Sequence, residues 1–543
     1  EFPFTFTSDQ QFAWDLIKGS ITGAADIKKP GLFLLHGVTG SGKTEVYLQA
    51  LAEIVRLGKK GICMVPEISL TPQVIDRFIG RFPGRVALLH SRLSLGQQFD
   101  VWHGINRGEF DIVIGPRSAI FAPQPDLGLI IVDEEHEWAY KQSDTMPRYH
   151  ARDVAVKLAS LTRSTLVLGS ATPSVESYFR ARRGVYQLVE LPERITPLGR
   201  TPLPEVTVVN MRTELKNGNR SIFSRLLKSC LTSVVDNHEQ AILFINRRGQ
   251  ATFLECMNCG YVPGCNRCSV ALTYHAAGKR LICHHCRRVY QVIKKCPVCS
   301  SEDIKYFGIG TETVEAECRK LFPTSRIIRF DSDTVVKAHD YEGKINSFRK
   351  HEADILVGTQ IIAKGLNFPG VSLVGIVNAD VSINLPDFRS GERIFQLLCQ
   401  VAGRAGRGTF AGKAVIQTFN PDYYAIKFAA RHDYAGFYES EMKYRRTFGY
   451  PPYNNMVRLV YSHTNEDKCK AEADRVSILI QEKIAARGIP GTKMIGPATA
   501  YINRLRGKFQ MQVILLGREL QSILSDMPLP AGWFLDVDPV GVI

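Results

Sequence analysis

The sequence has no long apolar stretch and no segment that resembles a targeting signal. No window approaches about 18 consecutive apolar residues, so we expect no membrane-spanning helix. The first six residues, Glu-Phe-Pro-Phe-Thr-Phe, have neither the basic region nor the apolar core of a signal peptide. They also lack an initiator methionine, which suggests a fragment or a processed chain. These absences predict a protein of the cytoplasm.

Acidic residues are in short supply. The 53 Asp and Glu residues stand against 68 Lys and Arg residues, which gives a formal net charge of +15. This excess favours a polyanionic partner, although it is equally consistent with a need for solubility. The length of 543 residues is enough for about three or four domains with their own cores. Composition alone therefore predicts a large globular protein and leaves its partner open.

Cysteine, in contrast, is plentiful, and its spacing is informative. Eight of the 13 cysteines fall within residues 256–299 as four C-x-x-C pairs, and the others are scattered singly. A disulfide framework suits small secreted domains rather than a chain of this size. Paired C-x-x-C knuckles supply the thiolates of tetrahedral zinc sites, and eight thiolates make two structural sites with no open position. Four-cysteine ligation also fits an iron–sulfur cluster, which we consider the weaker alternative.

Short, unbroken apolar runs recur along the chain in two groups. Such runs are typical of strands covered on both faces, and they predict parallel sheets built from βαβ units. The first group comprises 32–35, 61–65, 86–89, 111–114, 129–132 and 165–168, and the second comprises 241–245, 326–330, 354–357, 373–377 and 413–416. The Pro-rich stretch 191–204 resembles a linker between them. We therefore predict an α/β protein with two parallel-sheet lobes.

Beyond about residue 435 the pattern changes. Strands near 456–461 and 511–516 surround a helix near 466–486, which predicts a small α+β domain at the C-terminus. No repeat of fixed period is evident. The predicted boundaries are 1–195 for the first lobe, 196–255 with 301–434 for the second lobe, 256–300 for the cysteine-rich insertion and 435–543 for the C-terminal domain.

A phosphate-binding loop is indicated at residues 37–44, after the apolar run 32–35 and before a helical pattern at 45–54. In this setting the pattern G-x-x-x-x-G-K-[ST] forms a loop whose backbone N–H groups surround a triphosphate. Lys43 then contacts the β- and γ-phosphates, and the Thr44 hydroxyl binds Mg²⁺. The predicted ATP-binding residues of this loop are Gly37, Val38, Thr39, Gly40, Ser41, Gly42, Lys43 and Thr44.

Two acidic residues follow the apolar run 129–132. Asp133 is predicted to complete the Mg²⁺ shell, and Glu134 to orient and deprotonate the attacking water. Farther along the chain, Arg404 and Arg407 are three residues apart and share one face of a helical turn. Because forked, permanently charged guanidinium groups suit phosphate, we predict that both act as arginine fingers on the γ-phosphate in a cleft between the lobes.

Six motifs follow one another in the order that superfamily-2 helicases show. They are GVTGSGKT at 37–44, DEEH at 133–136, GSATPS at 169–174, INRRG at 245–249, GTQIIAKGLNFP at 358–369 and QVAGRAGR at 400–407. With the cysteine-rich insertion and PDFR at 386–389, the chain resembles the PriA family of bacterial primosomal helicases over essentially its whole length. The resemblance implies two RecA-like lobes. We find no match to the family's N-terminal fork-binding and winged-helix domains, so their functions are not assigned here.

The resemblance also assigns roles to individual residues. It implies that Gln10 reads the adenine base, that Ser170 and Thr172 couple the lobes, and that Gly365 lines the nucleotide site. Where family members often carry an aspartate, this chain has Asn367, so no metal or acid role is expected there.

For the insertion, spacing permits either sequential or nested pairing of the knuckles, and the resemblance favours nested pairing. One zinc would then be held by Cys256, Cys259, Cys296 and Cys299, and the other by Cys265, Cys268, Cys283 and Cys286. The insertion is also basic. It therefore either has a purely structural role or acts as a wedge at the duplex junction and as a docking surface for partner proteins.

Aromatic residues alternate with cations between the DEEH and GSATPS motifs. Such residues stack on bases and neutralise phosphates, and this segment resembles the family's aromatic-rich loop, which senses single-stranded DNA. The alternative is that its aromatic residues pack in the core. We predict DNA contact or coupling at Arg117, Trp138, Tyr140, Lys141, Tyr149, Ser170 and Thr172, and in the C-terminal domain at Arg506 and Lys508, where a solvated basic face is the alternative.

The predicted function is that of an ATP-dependent 3′-5′ DNA helicase that remodels abandoned replication forks and starts primosome assembly. The polarity comes from the resemblance alone. The predicted cofactors are ATP, Mg²⁺ and two structural Zn²⁺. The predicted partners are single-stranded and forked DNA, single-strand-binding protein and other primosome proteins, with no membrane and a monomeric chain. The rivals are another superfamily-2 enzyme, such as an RNA helicase, and a primosome scaffold whose helicase activity is dispensable.

Overall fold

The computed structural model describes residues 5–23, 31–67, 72–91, 93–143, 145–196, 199–246, 254–256, 258–259, 261–266, 271–275, 280–283, 288–306, 311–330, 338–359, 368–383, 385–407, 410–489 and 491–542. The chain divides into two compact units. The first comprises Glu1–Pro204, Ile361–Val371 and Gln400–Gly412, and the second comprises the remaining segments. The arginine motif at 400–407 therefore groups with the phosphate-binding loop.

The first unit is built on a seven-stranded sheet. Its strands are β1 (Leu32–Gly37), β2 (Lys60–Met64), β3 (Val86–Leu88), β4 (Ile112–Gly115), β5 (Leu127–Asp133), β6 (Thr165–Ser170) and β7 (Gln187–Leu191). Their spatial order is β3-β4-β2-β5-β6-β1-β7, and neighbouring strands are parallel. All of β4 and β6 is buried, which is why such strands are unbroken apolar runs. The first predicted parallel sheet is confirmed, with β7 added.

Helices cover this sheet. They are α1 (Ser8–Thr22), α2 (Lys43–Arg56), α3 (Pro72–Arg81), α4 (Leu95–Asn106), α5 (Ala151–Thr162) and α6 (Val175–Arg182), with short 3₁₀ turns at Arg117–Phe121 and Trp138–Tyr140. The start of α1 is fixed by a capping box between Thr7 and Gln10, and its end by Gly23 in the left-handed conformation. The apolar faces of α1 and α2 pack against β1 and β2 in one continuous core.

The stretch 191–204, predicted to be a linker, ends where the second unit begins, at Glu205. Its described residues include a short antiparallel pair of strands, β8 (Arg194–Thr196) and β9 (Gly199–Thr201). The carbonyl of Leu191 accepts a hydrogen bond from Val38 N at 3.1 Å, and Ile195 N donates to the carbonyl of Gly40 at 2.9 Å. Proline content does not reveal this order, because the backbone groups of Leu191 and Ile195 pair with the phosphate-binding loop.

The second unit carries the remaining strands and helices. The strands are β10 (Glu205–Asn210), β11 (Gln240–Ile245), β12 (Leu254–Cys256), β13 (Thr273–His275), β14 (Arg280–Ile282), β15 (Val289–Gln291), β16 (Ile304–Tyr306), β17 (Ile327–Phe330), β18 (Ile355–Gly358), β19 (Val371–Asn378), β20 (Lys413–Thr418), β21 (Asn455–His463), β22 (Lys493–Leu505), β23 (Lys508–Gly517) and β24 (Trp533–Val537). The helices are α7 (Met211–Lys216), α8 (Arg225–Asp236), α9 (Thr311–Leu321), α10 (Ala338–Arg349), α11 (Ser390–Ala402), α12 (Tyr424–Ala430), α13 (Tyr434–Phe448), α14 (Glu466–Arg487) and α15 (Leu520–Leu524).

Four described sheets organise these elements. A six-stranded sheet has the order β10-β20-β19-β11-β18-β17 and confirms the second predicted lobe. The insertion contains an antiparallel pair, β12-β16, and a three-stranded sheet, β13-β14-β15. The C-terminal sheet β22-β23-β21-β24 is antiparallel, and α14 packs against it around Val476 and Ile480, as predicted for an α+β domain. Among the described helices, none is long and apolar enough to cross a bilayer.

Candidate nucleotide site and metal centre

The phosphate-binding loop joins β1 to α2 and turns at two glycines with left-handed backbone. Gly40 has a φ of +85° and Gly42 a φ of +81°, a conformation that residues with a Cβ rarely adopt. Gly42 precedes α2 and has no side chain to cap it. The first N–H groups of the helix are therefore left for another acceptor. The N-terminus of such a helix is also the positive end of the helix dipole, so it is suited to bind a phosphate.

Gln10 supports this loop from the side. It is 1% exposed, its Nε2 donates to the carbonyl of Ser41 at 3.0 Å, and its Oε1 accepts from Thr7 N at 3.0 Å. A Cβ added to Gly42 would lie 2.2 Å from Gln10 Nε2, so the glycine and the glutamine fit together closely. Both polar atoms of the Gln10 amide are engaged with backbone. The adenine-reading role therefore stays a prediction.

Lys43 is buried at the start of α2. Its ammonium donates to the carbonyl of Gly37 at 2.6 Å and to that of Val38 at 3.4 Å. Burial lowers the pKa of Lys43, and the nearby carboxylates of Glu134 and Asp133 oppose that shift. A buried ammonium at a loop of backbone N–H groups is suited to bind a polyphosphate.

The two acidic residues lie where β5 ends. Tyr47 donates its hydroxyl to Asp133 Oδ1 at 3.1 Å. Burial and the neighbouring Glu134 raise the pKa of Asp133, while Lys43 opposes them. Glu134 has a φ of +48°, and its Oε2 is buried without a hydrogen-bond partner in the described part of the chain. A buried carboxylate oxygen of this kind is suited to bind a water or a cation.

His136 connects three of the sequence motifs. Its Nδ1 lies 2.6 Å from Ser170 Oγ, and its Nε2 lies 2.8 Å from Gln400 Nε2. An amide nitrogen only donates, so Nε2 accepts, and a neutral His136 then carries its proton on Nδ1 and donates it to Ser170. Ser170 Oγ also accepts from Thr172 N at 2.9 Å. The DEEH, GSATPS and QVAGRAGR motifs are thus joined through one ring, and Ser170 and Thr172 both lie at the junction.

Glu135 is a buried anchor that sequence reasoning missed. It is fully buried, and it accepts from Ser174 N at 2.7 Å, from Ser177 Oγ at 2.7 Å and from Arg152 Nη1 at 3.0 Å. Although burial alone would lower it, the pKa of Arg152 is raised, because the Glu135 carboxylate stabilises the guanidinium charge. Glu135 therefore holds the GSATPS segment to the end of β5. Glu135 is recognisable in the sequence as part of the DEEH motif, but its neighbours in the sequence do not indicate which side chains it binds.

Arg404 and Arg407 lie in the first unit with Lys43 and Glu134. Burial lowers the pKa of Arg404 to about 10, and the Glu134 carboxylate opposes that shift. Burial also lowers the pKa of Arg407 well below its usual value, and the adjacent cations Arg404 and Arg194 lower it further. Cations are therefore crowded around the phosphate-binding loop, which favours a polyanionic ligand. Gly365, predicted for the same site, lies outside the described residues.

The residues predicted to touch DNA separate into two groups. Trp138 is 46% exposed, and Tyr149 is partly buried beside Phe121, with ring centroids 4.9 Å apart. Tyr140 and Lys141 are only 1% and 4% exposed, so their burial favours the coupling role over direct contact, and DNA contact or coupling at both stays a prediction.

The buried members of this segment have structural partners. The Tyr140 hydroxyl donates to the carbonyl of Asp133 at 2.7 Å, because a buried phenol requires a hydrogen-bond partner. Arg117 donates to the carbonyl of Lys141 at 2.7 Å, so it fixes the loop rather than extending from it. The aromatic segment is therefore connected directly to the acidic end of β5.

In the C-terminal sheet, Arg506 and Lys508 lie at the tip of the β22–β23 hairpin. Arg506 has a φ of +47° and Gly507 a φ of +80°, as a two-residue hairpin turn requires. Both cationic side chains are exposed. The hairpin thus presents the basic surface that the sequence predicts, and DNA contact there stays a prediction.

The insertion brings four predicted zinc ligands together. The Sγ atoms of Cys256, Cys259, Cys296 and Cys299 lie within 4.8 Å of one another. The sulfurs of Cys256 and Cys299 are 3.5 Å apart, and those of Cys259 and Cys296 are 3.4 Å apart. Thiolates bound to zinc at about 2.3 Å in a tetrahedron lie about 3.8 Å apart, so the set fits that metal. The pairing in this cluster is nested.

The second cysteine set is only partly described. Cys265 and Cys283 are buried in the small core of the insertion with Leu254, Leu272 and Leu281. Cys268 and Cys286 lie outside the described residues. The second predicted zinc site therefore stays a prediction.

Comparison with known proteins gives the class first. The DEAD/DEAH box helicase family matches residues 8–180, and the helicase conserved C-terminal domain matches residues 293–409. These two domains belong to the two parallel-sheet lobes that carry the motifs described above. The chain therefore carries the two conserved domains of the DEAD/DEAH box helicases.

The particular family follows from the rest of the chain. The PriA DNA helicase Cys-rich region domain matches residues 265–289, and the primosomal protein N C-terminal domain matches residues 446–540. The replication restart protein PriA of Treponema pallidum is 38% identical over 549 residues, 99% of this chain and 80% of that protein. The chain belongs to the replication restart protein PriA family, and its cysteine-rich region is a zinc-binding region.

Two further comparisons define the extent of the likeness. The replication restart protein PriA of Bacillus subtilis is 46% identical over 513 residues, 94% of this chain. The chain spans only 62% of the length of that relative. Among solved structures, RecG bound to a three-way DNA junction has a TM-score of 0.46 and 18% identity over 82% of this chain and 50% of that chain, which is too loose to argue from.

Proposed function

We propose that this chain is the ATP-driven motor of a 3′-5′ DNA helicase that acts in replication restart. The observation that carries the proposal is the gathering of Lys43, Asp133, Glu134, Arg404 and Arg407 around one phosphate-binding loop in the first unit. The name of the relatives supports action in replication restart. The polarity rests on the family resemblance alone.

The residues divide the chemistry of ATP hydrolysis among them. Lys43 and the N–H groups at the start of α2 bind the β- and γ-phosphates. Thr44 and Asp133 hold Mg²⁺, which when bound neutralises phosphate charge. Glu134 orients the attacking water and accepts its proton, since its Oε2 makes no hydrogen bond among the described residues and lies 3.6 Å from His136 Nδ1. Arg404 and Arg407 stabilise the charge that develops on the γ-phosphate.

The link from hydrolysis to DNA runs through hydrogen bonds. His136 joins the acidic end of β5 to Ser170 and to Gln400, and Tyr140 joins Asp133 to the loop that exposes Trp138. A base stacked on Trp138 would therefore bias the geometry of the acidic residues. The proposed substrates are single-stranded and forked DNA. The proposed partners are single-strand-binding protein and other primosome proteins.

Replacement of the phosphate-loop lysine tests the proposal. Lys43→Ala is expected to reduce DNA-stimulated ATP hydrolysis and strand separation to background, because no other group replaces the buried ammonium. The matched control is Lys157→Ala, an exposed lysine on α5, which should behave as wild type. ATP hydrolysis that survives Lys43→Ala would refute the motor assignment. Stimulation by RNA as strong as that by single-stranded DNA would favour the RNA helicase alternative.

We further propose that the insertion holds two structural zinc ions. The nested cluster of Cys256, Cys259, Cys296 and Cys299 supports the first, and the eight-thiolate spacing supports the second. Both sites would be closed, since four thiolates fill the coordination shell. The insertion would then act as a rigid element beside the second lobe rather than in the chemistry of hydrolysis.

A further inference from the structure

The segment 191–195 lies along the phosphate-binding loop and contacts it at several points. Leu191 accepts from Val38 N at 3.1 Å, and Ile195 N donates to the carbonyl of Gly40 at 2.9 Å. A Cβ added to Gly40 would lie 3.2 Å from Arg194 Cγ and 3.4 Å from its Nε. The side chain of Arg194 therefore packs directly on the loop that binds phosphate.

The other end of Arg194 contacts the turn that carries the two predicted arginine fingers. Its Nη1 donates to the carbonyl of Ala405 at 3.0 Å, and its Nη2 to that of Gly403 at 3.5 Å. Arg407 donates its own Nε to the same carbonyl of Gly403 at 3.1 Å. One side chain thus spans from the phosphate-binding loop to the backbone around Arg404.

The chemistry of Arg194 is unusual for a buried cation. It is 2% exposed, and the structure gives it no ion pair with a carboxylate in the described part of the chain. Burial lowers its pKa, and no described anion opposes the shift. Backbone carbonyls compensate a buried charge less well than a carboxylate does. An arrangement that costs stability and joins two phosphate-contacting segments points to a role in positioning.

We propose that Arg194 is a positioning residue that fixes the 403–407 turn against the phosphate-binding loop, so that Arg404 and Arg407 stay directed at the terminal phosphate. The proposal rests on the proposed ATPase function. A forked guanidinium is suited to this role because it reaches two carbonyls at once, whereas an ammonium is a point donor. A displacement of about 1 Å in such fingers is enough to cost about 100-fold in rate.

The first experiment separates turnover from binding in the full chain. Arg194→Ala is expected to lower the kcat of DNA-stimulated ATP hydrolysis about 100-fold. The affinity for a fluorescent ADP analogue should change less than about threefold, because the loop's own N–H groups and Lys43 remain. Arg194→Lys keeps the charge but not the fork, so it should stay at least about tenfold below wild type. Arg200→Ala is the control, since Arg200 lies on the same hairpin but is exposed and paired with Glu193.

The second experiment asks whether Arg194 acts through Arg404 and Arg407. If it does, the triple variant Arg194→Ala/Arg404→Ala/Arg407→Ala should be no slower than Arg404→Ala/Arg407→Ala within about threefold. Additive losses would mean that Arg194 acts independently, and they would overturn the proposal. A kcat for Arg194→Ala equal to that of Arg200→Ala would overturn it as well. If Arg194→Ala melts earlier than Arg200→Ala, the same cycle is run with Arg194→Lys. A wild-type chain that does not hydrolyse ATP would refute the proposed function instead.

Discussion

At the scale of single residues, the site depends on buried groups whose partners are distant in sequence. Glu135 is fully buried and holds Arg152, Ser174 and Ser177. Gly169 leaves no room for a side chain, because a Cβ there would lie 1.6 Å from the Tyr47 hydroxyl oxygen. That hydroxyl contacts Asp133. Residues without a direct role in hydrolysis therefore fix the residues that have one.

Glu135→Gln tests this anchoring. The substitution keeps the shape of the side chain but leaves the Arg152 guanidinium buried without its carboxylate. We expect the free energy of unfolding of the first unit to fall by about 3 kcal/mol or more, measured by urea unfolding. The control is Glu109→Gln, which breaks an exposed ion pair with Arg107 and should leave the free energy of unfolding nearly unchanged. Equal losses for both variants would show that Glu135 is not an anchor.

At the scale of elements, the insertion differs from the lobes in how it is stabilised. Its described core consists of Leu254, Leu272, Leu281 and two cysteines, whereas the lobe cores contain many more buried aliphatic and aromatic side chains. A core this small does not fold unaided, so metal must supply folding free energy. The cores of the two parallel-sheet lobes are large enough to fold without metal.

Loss of zinc is therefore expected to destabilise the insertion and to leave the lobes unchanged. Cys256→Ser should lower the zinc content from about two to about one per chain, measured by mass spectrometry of the metal. Amide hydrogen exchange should then rise at β12 and β16, while β1 and β6 keep their protection. Cys230→Ser, which changes a thiol outside the cluster, should leave the zinc content unchanged. Loss of protection in β1 would mean that the insertion is not an independent element.

At the scale of the whole molecule, charge is the property that we expect to govern the proposed binding of DNA. The net charge of +15 includes exposed cations such as Arg506 and Lys508 at the β22–β23 turn. Contacts to phosphate release counterions from DNA, so binding dominated by them weakens steeply with salt. Such contacts position a strand without reading its sequence.

The salt dependence of binding measures how many of these contacts form. We expect log Kd for single-stranded DNA to rise linearly with log salt, with a slope of about 0.7 for each phosphate contacted. The double variant Arg506→Ala/Lys508→Ala, which removes two such contacts, should reduce that slope by about 1.4. Arg475→Ala, which removes a cation already paired with Glu472, should leave it unchanged. An unchanged slope in the double variant would exclude the hairpin from the DNA interface.

Much of this protein was determined by local sequence pattern. Unbroken apolar runs predicted both parallel sheets, because a strand covered on both faces must be apolar along its length. The phosphate-binding loop was predictable for the same kind of reason, since its glycines and lysine are needed at fixed spacing. Cysteine spacing indicated zinc but left the pairing open.

The tertiary structure alone decided which side chains meet. Arg194 contacts the carbonyl of Ala405, 211 residues away, and the Pro-rich pattern around it predicted only a linker. Tyr140, predicted to contact DNA or to couple it to hydrolysis, is buried and donates to the backbone carbonyl of Asp133. Sequence pattern reports whether a residue is apolar, charged or flexible, because these are properties of the residue and its near neighbours. The partner of a buried charge is set by how distant elements pack, and no local pattern encodes that.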